Sequence, residues 1–227
     1  MISRFGLLKR SHEMSLEDFN RHWQEVHGPL ASAMPGLREY FQHAVIARGD
    51  HAIRGPWELD GMSELKFDDL ESMSASVAAS ENKAALADLP GFLSELNLVV
   101  CEKHEVIAPG DIGEGAVKQM SLIRRRPGLS DEAFRHEWLE VHAKIVRQWP
   151  NVLGYSQNLV IDRYKDRDPQ SVSQEELPVD GIVEIWFASG EKRAEAYRSQ
   201  IVLDTMAHAR EFLSEITPFL VTTRRIV

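Results

Sequence analysis

Cysteine is all but absent from this chain of 227 residues: Cys101 stands alone. A single thiol excludes an internal disulfide and fits a reducing, cytoplasmic setting, where it reads as a small buried apolar residue. Long apolar runs are missing too, and the opening MISRFGLLKRSHEMS holds none. Neither a signal segment nor a membrane span is expected. There is no long basic run, and the net charge is −9, which argues against a surface for phosphate or nucleic acid. HExxH, CxxC, a P-loop, GxGxxG after a strand and GxSxG are all lacking. His22 and His27 are five apart and miss the i, i+4 spacing of metal ligands on one helix face. No metal, nucleotide cofactor or serine nucleophile is expected. What remains, 43% hydrophobic and 27% charged, is the composition of an ordinary globular protein.

What the chain does have, it has twice. MSLEDFNRHWQEVHGPLASAMPGLREY from Met14 aligns with LSDEAFRHEWLEVHAKIVRQWPNVLGY from Leu129. Ser15/Ser130, Phe19/Phe134, Trp23/Trp138, Glu25/Glu140, Val26/Val141, His27/His142, Pro35/Pro150 and Tyr40/Tyr155 match at a constant offset of 115. DGMSELKF from Asp60 recurs as DGIVEIWF from Asp180, offset by 120. Solenoid repeats run ~20–50 residues, so this period means two copies of a small domain. The expected division is residues 1–107, a Gly-rich linker at 108–116, and residues 117–227.

Each copy opens with alternation. Phe5 and Leu7 oppose Ile2, Arg4, Gly6 and Leu8, and Met120 and Leu122 repeat the pattern, so a first strand is expected. Ser15 and Ser130 stand at N-cap positions with acids in the following turn. The stripes Phe19, Trp23, Val26, Leu30 and Phe134, Trp138, Val141, Ile145 predict one amphipathic helix each. A second strand starts near Tyr40 or Tyr155, a third spans Gly61–Phe67 or Gly181–Phe187, and a second helix fits 69–88 or 189–214. Last strands are expected at Leu96–Val106 and Phe219–Val227. The order β-α-β-β-α-β is α+β and ferredoxin-like. Its helices cover one sheet face, so the two bare faces are expected to pack face to face as an α/β barrel. The polar stretch 162–178 reads as a lid or as disorder.

Chemistry concentrates in a few duplicated residues. His27 and His142 follow a Trp by four positions on the same helix side, where an imidazole can serve as acid or base or be a satisfied core group. Tyr40 alternates with Gln42, and Tyr155 with Gln157. On a barrel-interior face these would orient an organic molecule and stabilise an enolate or phenolate; on a helix-covered face they would be core residues. Asp60, Asp180, Glu64 and Glu184 are candidate bases or structural acids. His43, His51, His12 and His104 lack counterparts, which hints that one half is active.

These segments resemble the EthD domain family of the dimeric α/β-barrel superfamily, over nearly the whole chain. The resemblance implies that one chain builds the pseudo-dimer that single-domain relatives assemble from two. Among relatives with a described chemistry, methylmuconolactone isomerases place their catalytic histidine and tyrosine at His27 and Tyr40, and again at His142 and Tyr155. A second loop histidine of theirs matches only His51, and their cysteine falls on Leu65 and Ile185. The expectation is a cofactor-independent, proton-transferring isomerase, lyase or dehydratase acting on a small apolar carbonyl or phenolic compound. His27, Tyr40, His142 and Tyr155 would be catalytic; Gln42, Gln157, His51, Trp23 and Trp138 would bind substrate. A haem- or oxygen-using barrel and a non-catalytic ligand carrier are the alternatives. A homodimer of tandem chains is left open.

Overall fold

The computed structural model describes residues 1–49, 53–110, 112–165, 168 and 170–227. Repeat one runs β1 (Ile2–Arg10), α1 (Leu16–His22), a π-helical turn (Trp23–His27), α2 (Gly28–Ser32), β2 (Glu39–Arg48), β3 (Gly61–Phe67), α3 (Leu70–Ala78), α4 (Lys83–Phe92) and β4 (Leu93–Ile107). Repeat two runs β5 (Val117–Arg125), α5 (Asp131–Arg135), a π-helical turn (His136–His142), α6 (Ala143–Val146), β6 (Val152–Tyr164), β7 (Gly181–Phe187), α7 (Gly190–Tyr197), α8 (Gln200–Phe212) and β8 (Leu213–Arg225). No helix among the described residues is long and apolar enough to cross a membrane.

The eight strands close into one barrel in the order β1-β3-β2-β8-β5-β7-β6-β4. The bare faces do look at each other, but closure comes from the edges. β2 pairs antiparallel with β8, and β4 with β6. Four edge strands thereby satisfy their free N–H and C=O groups, which simple face-to-face packing would leave open.

The alternating strand residues fill the barrel. Phe5, Leu7, Met62, Val99, Met120, Leu122, Phe219 and the lone Cys101 form an apolar plug. A polar cluster occupies the other interior positions. Glu184 meets Lys118 Nζ at 2.6 Å and Lys103 Nζ at 3.3 Å, and Asn158 Nδ2 donates to it at 2.8 Å. Glu64 accepts from Ser3 Oγ at 3.2 Å and meets His43 Nε2 at 3.3 Å. Among the described residues, charge pairs and core side chains occupy the barrel interior, where ligand space is one expectation of the sequence.

The helices cover the outer face, and their detail departs from a simple amphipathic pattern. Ser15 and Ser130 cap α1 and α5, accepting from the amides of Asp18 and Ala133. The π-helical turn then inserts the equivalent of one extra residue, so the buried stripe slips by one position. His27 is 9% exposed, whereas Val26, on the expected stripe, is 44% exposed. The inward series becomes Phe19, Trp23, His27, Ala31, and in repeat two Phe134, Trp138, His142, Val146. The expected single second helix is broken in each repeat, by extended backbone at Ala79 and Ser199. The last strands begin earlier than expected, at Leu93 and Leu213, where the duplicated FLSE marks the junction.

Candidate functional site

In repeat one, the helices stand away from the sheet and leave a cavity of about 490 Å³. Its floor is the outer face of the sheet, with Arg4, Leu8, Tyr40, Ser63 and Leu65, and its roof includes Trp23, His27, Met34, Val77 and Leu86. Most of this wall is aliphatic or aromatic, with a few convergent polar groups, as small-molecule sites usually are. Trp23 reaches it because β3 begins with glycine: a Cβ at Gly61 would lie 2.6 Å from the indole. Repeat two also contributes. Tyr164, at the end of β6, packs against the apolar clusters of repeat one, and its hydroxyl donates to Asp162 at 2.5 Å. Tyr164 and Asp168 both line the cavity.

Among the described residues, His27 is the one imidazole on this wall. Its Nδ1 lies 3.0 Å from Asp88 Oδ2, while His22 Nε2 lies 2.9 Å from Asp88 Oδ1. A carboxylate only accepts, so neutral His27 carries its proton on Nδ1 and keeps the Nε2 lone pair free. Burial holds the imidazole below its ordinary value despite the opposing pull of Asp88. The ring is therefore a neutral base at neutral pH, with its tautomer set from behind.

Tyr40 lines the same cavity but keeps its proton, because burial pushes its phenol up to about 12. It is a donor rather than an anion. Gln42 Nε2 donates to Tyr40 Oη at 3.1 Å and to the Trp23 carbonyl at 2.7 Å. That carbonyl begins the π-helical turn and also accepts from the Gly28 amide. Gln42 thus ties the turn that aims His27 to the tyrosine, and does not itself line the cavity. Gln157 bonds the Trp138 carbonyl in the same way at 2.6 Å.

Repeat two keeps the plan but not the space. The corresponding gap is about 60 Å³. Trp149 stands where repeat one has Met34, Tyr197 where it has Val77, and Val146 where it has Ala31. Trp149 Nε1 donates to Thr205 Oγ1 at 2.9 Å, and Gln119 Nε2 to Tyr197 Oη at 2.9 Å, so the filling side chains are anchored. His142 Nδ1 meets His208 Nδ1 at 3.2 Å, and His208 Nε2 meets Glu137 Oε2 at 3.4 Å. His142 is pushed down to about 3 by burial and by His208. Tyr155 is likewise raised by burial.

The structure thus brings His27, Tyr40 and Trp23 to one cavity, and His142, Tyr155 and Trp138 to a nearly closed one. Gln42 and Gln157, expected to bind substrate, hydrogen-bond the Trp23 and Trp138 carbonyls and are not among the residues lining the two pockets. His51 lies outside the described residues. Asp60 and Asp180 are structural: they accept from the Arg10 and Arg125 amides at 3.0 and 2.9 Å. Glu64 and Glu184 face the barrel interior. Sequence reasoning missed Asp88, Arg4 and Tyr164. Asp88 could have been found by aligning FLSE, which places it opposite His208. Among the described residues no group of three or more His, Cys, Asp or Glu could hold a metal ion.

A model of the EthD domain matches residues 11–95 and again residues 126–215. An EthD-family protein of Bacillus halodurans is 26% identical over 45% of this chain and 98% of its own length, with a TM-score of 0.38. An anthrone oxidase-like protein covers 99% of this chain and 93% of its own, at 12% identity and a TM-score of 0.66. A chlorite dismutase of Candidatus Nitrospira defluvii covers 97% and 90%, at 13% identity and a TM-score of 0.47. No protein of curated function matches the chain.

Proposed function

The chain belongs to the EthD domain family, with the domain present twice, and from that premise we propose that repeat one is a cofactor-independent proton-transfer site. The observation carrying this reading is that His27, backed by Asp88, opens on the same apolar cavity as the protonated Tyr40. His27 Nε2 takes a proton from the carbon next to a carbonyl. The electron pair moves onto the carbonyl oxygen, and the Tyr40 hydroxyl donates a hydrogen bond to the resulting enolate. His27 then returns the proton to another carbon, giving isomerisation, or to a departing group, giving elimination. The walls exclude water and favour a flat, mostly apolar substrate. Repeat two supplies strands that complete the barrel and Tyr164 at the cavity, while its own pocket is filled.

The test is solvent-deuterium exchange into the C–H positions next to the carbonyl of a panel of cyclic ketones and lactones. His27→Ala is expected to lose ~10²–10⁴ in exchange rate, and His142→Ala to retain the wild-type rate. Undiminished exchange in His27→Ala sinks the assignment.

A further inference from the structure

One charge on the cavity wall is left unmatched. Arg4 stands on the helix-covered face of β1, in register with Leu65 of β3 and Val100 of β4. It is half-buried and lines the cavity with His27, Tyr40, Ser63 and Tyr164. Its backbone pairs with β3 and β4, but its guanidinium forms no hydrogen bond or ion pair with any described residue. Asp168, the one described carboxylate on the lining, is exposed and makes no ion pair with it. Burial pulls the guanidinium down to about 10, with only Tyr164 opposing.

Repeat two shows what a satisfied side chain looks like at this place. Gln119, 115 positions on from Arg4, donates to Tyr197 Oη at 2.9 Å and accepts from Arg193 Nε at 2.9 Å. The filled pocket thus has a neutral, fully bonded group, and the open one has a bare cation. A partly desolvated charge without a partner is costly to keep. A guanidinium also presents a planar fork of donors that matches a carboxylate and holds it in one orientation.

We propose that the ligand of repeat one is an organic carboxylic acid with a flat apolar body, its carboxylate held by Arg4 and its reacting carbon presented to His27. The second clause rests on the proton-transfer reading above; the first does not. Arg4 is thereby a substrate-specificity residue. It sets which end of the ligand lies against the sheet, and it favours acids over the esters and ketones that the apolar walls alone would accept.

The experiment compares 2-naphthoic acid with its methyl ester by equilibrium binding to the intact protein at neutral pH. Wild type is expected to bind the acid at least ~10-fold more tightly, since hydrogen bonds to charged groups exceed neutral ones. Arg4→Gln, which copies the residue of repeat two, is expected to erase that preference by lowering acid affinity ~10–100-fold while leaving ester affinity unchanged. Arg4→Lys should retain part of it. Equal binding of acid and ester to wild type, a preference that survives in Arg4→Gln, or no binding of either at millimolar concentration overturns the proposal. His27→Ala separates the two readings. A retained acid preference without deuterium exchange in wild type refutes proton transfer alone, and exchange without an acid preference refutes the role of Arg4 alone.

Discussion

Asp88 and His208 stand at equivalent positions of the two repeats, and each faces the Nδ1 of its own repeat's inward histidine, at 3.0 Å from His27 and 3.2 Å from His142. Their outer partners are exchanged as well: His22 is matched by Glu137. The two arrangements differ in direction: Asp88 accepts from both His27 and His22, whereas His208 lies between His142 and Glu137. In repeat two, His208 Nε2 lies 3.4 Å from Glu137 Oε2, which favours a proton on that nitrogen and leaves Nδ1 to accept from His142. Either arrangement leaves the Nε2 of the inward histidine as the basic atom.

That relation makes Asp88→Asn the informative lesion. The amide can offer a donor where His27 needs an acceptor, which favours the wrong tautomer while barely changing volume. Exchange activity is expected to fall on the order of 10²-fold, with the melting temperature held within a few degrees. The double change His22→Glu with Asp88→His rebuilds the order of repeat two and is expected to recover part of the loss. Full activity in Asp88→Asn, measured by the deuterium assay, removes Asp88 from the mechanism.

The second prediction exchanges cavity linings. Met34→Trp with Val77→Tyr imports the plug of repeat two and should abolish binding of 2-naphthoate while the protein stays folded. Trp149→Met with Tyr197→Val does the reverse. It removes anchored aromatics from a nearly full space and should cost about 3–5 kcal/mol in urea unfolding. Binding that survives the first pair would place the ligand elsewhere.

How legible was all this in the sequence? The repeat, the strand alternation and the capping serines are local patterns, and the third strands fall at Gly61–Phe67 and Gly181–Phe187 as read. The face bearing Tyr40 and Gln42 could not be chosen, because alternation marks two faces without saying which one the helices cover. The π-helical turn was invisible for a related reason: a 3.6-residue stripe through Phe19, Trp23 and Val26 looks regular, and only the carbonyl shared by Gly28 and Gln42 shows the slip. The cavity depends on residue sizes at Ala31, Met34 and Val77, which read as ordinary core until set against Val146, Trp149 and Tyr197.

A third prediction concerns the duplicated Asp-Gly. Gly61 lets Trp23 lie across β3, and an alanine Cβ there would sit 2.6 Å from the indole. The ring is wedged against Phe19 at 5.5 Å between centroids and has little room to retreat. Gly61→Ala is expected to destabilise by about 1–3 kcal/mol and to shift the helix bearing His27, lowering exchange activity as well. Gly181→Ala, where the Cβ would overlap Trp138, should destabilise equally but leave activity near wild type. Equal activity losses in the two variants would contradict the assignment of the working site to repeat one.

The last prediction is a pH dependence. Burial holds His27, His43 and His142 below the ordinary imidazole value, the last at about 3. In the unfolded chain each takes up its proton near pH ~6.5. Between the folded and unfolded values the unfolded state binds more protons, so stability rises with pH there and is lost as pH falls below about 6.5. Each such histidine contributes a slope of up to about 1.4 kcal/mol per pH unit. Glu184 adds a loss of the same sign at lower pH: burial alone would raise its carboxyl, but Lys118 and Lys103 hold it well below the usual range. Urea unfolding at pH 7.5, 6, 5 and 4 should show this decline, and His142→Phe should flatten its upper part. Turnover has a different edge. A base that must be neutral fails only when His27 itself protonates, so activity should persist below the pH at which a solvent-exposed imidazole would be lost. An activity profile that breaks at or above pH ~6.5 would mean that the working base is not the buried His27.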